Sequence, residues 1–156
     1  MIVPYESLLA MFRLAEYQPT AEQRAVHEAL CQEVVGVLPD TGEEAPMPVV
    51  VVVAGGEQGG KSLCAAQHVH ARWLVDRVTW LVGERYEDTK PEYQALVEIG
   101  EITKAVVRAD RPDSDPPWTA QFRNGNVVKT LTSEDVTKLA RDAPAGIVMC
   151  EPGRQT

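Results

Sequence analysis

Apolar positions along this chain fall into short unbroken runs and into longer stretches spaced three and four apart. Val49–Ala54 is an uninterrupted, mostly β-branched run, which predicts a strand covered on both faces. Val78–Val82 and Gly146–Cys150 are two further buried-strand candidates. Helical spacing marks Ser7–Leu14, and Pro19 ends that run. Thr20 reads as an N-cap, with Gln23 three residues on completing a capping-box pattern. The helix behind it is expected to reach about Val37 and to bury Val26, Leu30, Cys31 and Val34. Pro39–Pro48 reads as a loop. A helix follows from Lys61 to about Val75, and Thr89 can cap another that runs to about Ile99. Asp110–Pro117 is a Pro/Asp loop, and Thr119–Arg123 and Asn126–Leu131 flank Asn124-Gly125 as a hairpin. Ser133 can cap a short helix to about Arg141. Strand and helix alternate, which is the pattern of an α/β fold with a mostly parallel sheet.

At 156 residues the chain is one domain or a piece of one. Residues 1–48 form a helical lead-in and loop, and residues 49–156 the core. Three parallel strands are few for such a core, so the domain is expected to be cut short after its last strand. No apolar run approaches the ~20 residues of a membrane helix, and Met1–Leu9 lacks the pattern of a secretory signal. Three cysteines suggest no disulfide framework and fit a reducing compartment. The net charge of −8 changes the picture more. A domain that grips DNA over a broad face is usually basic, so any contact with DNA must be local or made elsewhere.

The candidate chemistry lies in Gly55-Gly56-Glu57-Gln58-Gly59-Gly60-Lys61-Ser62, which fits the P-loop pattern G-x-x-x-x-G-K-[ST]. Its glycines let backbone N–H groups converge on an anion, and the following helix turns its positive end to the same place. Lys61 would reach the β- and γ-phosphates of a nucleoside triphosphate, and the Ser62 hydroxyl would ligand Mg²⁺. The bare pattern arises by chance in roughly 1 chain in 200 of this length. A hydrophobic strand just before it and a helix beginning within it make it far more specific.

A triphosphatase also needs a carboxylate at the end of a neighbouring strand. Ile147-Val148-Met149-Cys150-Glu151 is the candidate, with Glu151 placed to polarise the attacking water. Cys150 stands where an Asp usually holds the metal, and a thiol is a poor ligand for Mg²⁺. Gln23 has two readings, the cap already described and bidentate recognition of adenine; Tyr17 could stack on that base. Cys64 and His68 have i,i+4 metal spacing but no further ligand, so with His70 they read as a buried Cys and surface His. Glu84, Glu87, Asp88 and Asp110–Asp115 read as solvated surface.

Taken in order, Tyr17–Gln23, the P-loop, Trp80–Tyr86, the hairpin at Phe122–Thr132 and the strand Ile147–Glu151 resemble the ATPase domain of the large terminase subunit of tailed bacteriophages. The resemblance spans nearly the whole chain on few specific residues. It implies a three-layer P-loop fold and an ATP- and Mg²⁺-dependent motor, a ring of identical subunits that pumps double-stranded DNA into a procapsid. The portal and the small terminase subunit would be partners, and the cytoplasm of an infected bacterium its place. Glu57 stands where many terminases have Arg, and Cys150 replaces the usual Asp. A helicase-like NTPase, or a nucleotide-binding module with little hydrolysis, are the other readings of the same residues.

Overall fold

The computed structural model describes residues 3–47, 60–138 and 144–150. The expected strand Val49–Ala54, P-loop residues Gly55 to Gly59, and Glu151 lie outside them. The described segments build an α/β fold around a five-stranded sheet. Its order is β4 (Val106–Ala109), β5 (Thr119–Phe122), β6 (Val127–Thr132), β3 (Val78–Gly83) and β7 (Gly146–Met149). β3 runs parallel to both β6 and β7, whereas β4–β5 and β5–β6 are antiparallel. The sheet is therefore mixed: the hairpin is built into it, and its second strand is a parallel neighbour of β3.

β3 is the buried strand its sequence predicts, and successive side chains serve opposite faces. Leu81 joins the larger core with Val69, Trp73, Tyr93, Leu96, Ile99, Phe122 and Val128. That core lies under α3 (Lys61–Ala71) and α4 (Lys90–Ile102). Trp80 and Val82 pack on the other face with Leu131 and Val136 of α5 (Ser133–Lys138). Helices thus cover both faces. A third cluster joins Leu8 and Phe12 of α1 (Tyr5–Leu14) to Tyr17 and to Ala71 of α3.

Several elements depart from the sequence-based expectation. The helix after Thr20, α2, spans Ala21–Leu30 and does not reach Val37. Val34–Val37 instead forms β1, paired antiparallel with β2 (Glu44–Met47) inside the expected loop. Val34 falls four residues after Leu30, so it satisfies helical spacing. However, Val34, Val35 and Val37 are β-branched around Gly36, which favours extended backbone, and all three are exposed. Val26, Leu30 and Cys31 are only half-buried, and α2 buries Gln23 and His27. α3 stops at Ala71, short of Val75, and β4 has no counterpart in the sequence reading.

The hairpin turn also differs in kind. A two-residue loop centred on Asn124-Gly125 needs positive φ at both residues, but here only Gly125 has it, at 89°. Gly125 N–H bonds to the Phe122 carbonyl and Phe122 N–H to the Asn126 carbonyl, closing a three-residue loop. Asn126 Nδ2 then donates to the Trp73 carbonyl at 2.8 Å, tying the turn to the end of α3. α5 is capped by Thr132, not Ser133: Thr132 Oγ1 accepts from Asp135 N–H, and Asp135 Oδ2 from Thr132 N–H.

Candidate functional site

Gly60 is the N-cap of α3 at φ 72°, ψ 21°, the left-handed region that glycine enters without strain. A Cβ there would also lie 2.7 Å from Gln23 Nε2. The Gly60 carbonyl accepts the first helical bond from Cys64 N–H. The first turn of α3 then carries Lys61 and Ser62 and no acidic residue. Helices usually place acids there to offset the positive end of the dipole. A cation in that turn raises the local positive potential, which suits an anion bound from outside.

The Gln23 amide lies against this turn. Its Nε2 donates to the Gly60 carbonyl at 3.3 Å, and its Oε1 accepts from Thr20 N–H at 3.0 Å. Thr20 Oγ1 in return accepts from Gln23 N–H, so the capping box is complete. Each end of the amide is therefore engaged once, which leaves one N–H and one oxygen lone pair uncommitted. Tyr17 is buried, edge-on to Phe12 with ring centroids 4.9 Å apart. Its hydroxyl meets His27 Nε2 at 2.9 Å. The ring belongs to the α1 cluster and has no open face for a base.

Behind Gln23 a buried polar chain ties α2 to α3. Cys64 Sγ lies 4.0 Å from the Gln23 carbonyl and 3.6 Å from His27 Nε2, and His27 Nδ1 lies 2.9 Å from His68 Nδ1. The two imidazoles are within 8° of coplanar at 5.2 Å between centroids. That separation is the N···N distance plus two ring radii, so the rings meet edge to edge in one plane. One assignment that satisfies these contacts has Tyr17 donating to His27 Nε2 and His27 Nδ1–H donating to His68 Nδ1. Burial lowers the pKa of His27 to about 4; burial, then His27 and Arg72, lower that of His68 to about 3. Both rings are neutral, as this assignment requires. His70 is fully buried against Thr103 Oγ1 at 2.8 Å, contrary to its expected surface position. Among the described residues no group of His, Cys, Asp or Glu forms a metal cluster.

Ser62 leads to the part of the site that the sequence did not reveal. Its Oγ donates to Glu92 Oε1 at 3.0 Å, across from α3 to the first turn of α4. Glu92 Oε2 is buried with no well-formed hydrogen bond. Cys150 follows β7 and is buried, with its N–H bonded to the Val82 carbonyl at 2.7 Å. Burial, then the charge of Glu92 and a side-chain hydrogen bond with it, and then the charge of Asp88, drive its thiol far above the usual range. Sulfur is a poor ligand for a hard cation, whereas a carboxylate oxygen is a suitable one. The donors present fit Mg²⁺ through Ser62 and Glu92, not through Cys150. Asp88, expected on the surface, is buried and accepts from Arg85 N–H at 3.0 Å. Glu92 carried no signal because an acid in a helix's first turn reads as ordinary dipole compensation, and 30 residues separate it from Ser62.

No family model matches this sequence, and no curated protein matches it. Among solved structures the fold is similar to the large terminase ATPase domain of Thermus phage P74-26. The TM-score is 0.53 at 17% sequence identity, over 88% of this chain and 55% of the other. This chain thus spans about half the length of the structure it matches.

Proposed function

We propose that this chain binds ATP with Mg²⁺ at the amino-terminal end of α3, hydrolyses it, and serves as the motor domain of a DNA-packaging terminase. The observation that carries the reading is the turn at Gly60. It is left-handed and opens directly into a helix whose first turn carries Lys61 and Ser62, and Ser62 bonds Glu92, which lies near Cys150 where β7 ends. The likeness of fold to a terminase ATPase domain supports the motor assignment at the level of architecture. Lys61 would hold the β- and γ-phosphates. Gly55, Gly56, Glu57, Gln58, Gly59 and Gly60 would cradle them through backbone N–H groups. Glu151 would orient the attacking water. Mg²⁺ would neutralise charge on the phosphates, with Ser62 as a ligand. Double-stranded DNA, a portal, a small subunit and further copies of the chain are the partners this reading implies. The thiol at Cys150 favours a second reading, a module that binds nucleotide and hydrolyses it poorly.

Thermal unfolding with Mg·ATP, Mg·GTP or neither tests the binding site. A ligand at 100 times its Kd adds about 2.7 kcal/mol, which raises Tm by roughly 5–10 °C in a domain of this size. Lys61→Ala abolishes the rise if the reading holds. Gln23→Ala narrows the difference between ATP and GTP if its amide turns to the base. A cooperative transition that ATP leaves unmoved removes the nucleotide site from consideration. Steady-state phosphate release then separates the motor from the non-hydrolysing module.

A further inference from the structure

The strand end that should supply a metal-side carboxylate offers a buried thiol, yet a carboxylate stands within reach of the same serine from a different element. Glu92 accepts the Ser62 hydroxyl at 3.0 Å through Oε1, and its buried Oε2 has no well-formed hydrogen bond, although the Cys150 thiol lies close enough to interact with this carboxylate. An oxygen stripped of water without a partner is costly unless something cationic or protic completes it. The position is also firmly held. α4 carries Pro91 in its first turn, and Tyr93, the residue after Glu92, is fully buried with its hydroxyl on the Asp110 carbonyl at 2.7 Å. Leu96 and Ile99 continue the same face into the core beneath α3. The amino-terminal end of α4 further favours negative charge at Glu92.

We propose that Glu92, on the helix after β3, supplies the carboxylate on the metal side of the nucleotide site that Cys150 cannot. It acts with Ser62 on the divalent cation of a nucleotide complex. The function has moved from the strand end to a neighbouring helix, which leaves position 150 free to be a buried Cys. This rests on the nucleotide-binding reading above.

The test separates metal from nucleotide. Affinity for a fluorescent ATP analogue is measured in EDTA, and Mn²⁺ affinity by electron paramagnetic resonance with a non-hydrolysable ATP analogue bound. Glu92→Gln is expected to keep metal-free nucleotide affinity within roughly twofold while weakening Mn²⁺ binding by about 10- to 100-fold. Adding Cys150→Asp to Glu92→Gln returns a carboxylate to the same space and is expected to recover most of that loss. Lys61→Ala, in contrast, loses nucleotide with and without metal. If Glu92→Gln does not fold, Glu92→Asp provides the same comparison with a smaller loss. Unchanged Mn²⁺ affinity in a folded Glu92 variant that still binds nucleotide overturns the proposal. If the unaltered chain binds no nucleotide in EDTA or with metal, the nucleotide site itself fails and the proposal with it.

Discussion

His27, His68 and His70 show how a few side chains can set the response of this fold to pH. Burial is the first cause of all three depressed pKa values, about 4, 3 and 4 respectively. An unfolded histidine titrates near 6.5. Below that pH the unfolded chain takes up protons that the folded chain refuses, so stability falls with falling pH until the folded-state values are reached. The expected loss between pH 7.5 and 5.5 is about 1 kcal/mol for each histidine. Urea unfolding at several pH values checks this, and His70→Gln should make the slope shallower by about one proton. A stability that stays level across that range would show the rings to be solvated. At this scale the sequence indicated Lys61 and Ser62 because their spacing is local. It could not indicate Glu92 or the His27–His68 contact, since neither pairing has a local pattern.

Elements were legible where local chemistry decides them. The Thr20–Gln23 capping box formed as its residues predict, because both partners lie within one turn. The hairpin also formed, although its loop closes over three residues with Gly125 alone left-handed. A Cβ at Gly125 would meet no atom within 4 Å, so only backbone strain opposes a side chain there. Gly125→Ala is expected to cost about 1 kcal/mol, and Gly125→Asn less, since Asn tolerates that region. Equal stability of the two variants in chemical denaturation would contradict this account of the turn. The misread elements have a common cause. Val34 suits both a helix and a strand by spacing, and pairing with Met47 settles it as strand. β4, four residues long, is a strand only because β5 lies beside it.

For the whole molecule, net charge constrains how the proposed motor could hold DNA. With a formal charge of −8, the isolated chain should bind double-stranded DNA more weakly than the roughly 100 μM limit of ordinary non-specific binding at physiological salt. Fluorescence anisotropy at that salt checks it, and micromolar binding would reveal a strong local basic surface on the chain. No helix among the described residues is long and apolar enough to cross a membrane. By itself the sequence determined the α/β class, the buried strand β3, the capped start of α2 and the entry to α3, because each rests on neighbours within a few positions. Only the tertiary structure decided that the hairpin joins the main sheet, that Gln23 lies against Gly60, and that Glu92 meets Ser62 beside a buried Cys150. Those are contacts between residues 30 or more apart in sequence, and packing of the sheet against its helices, rather than any spacing along the chain, brings them together.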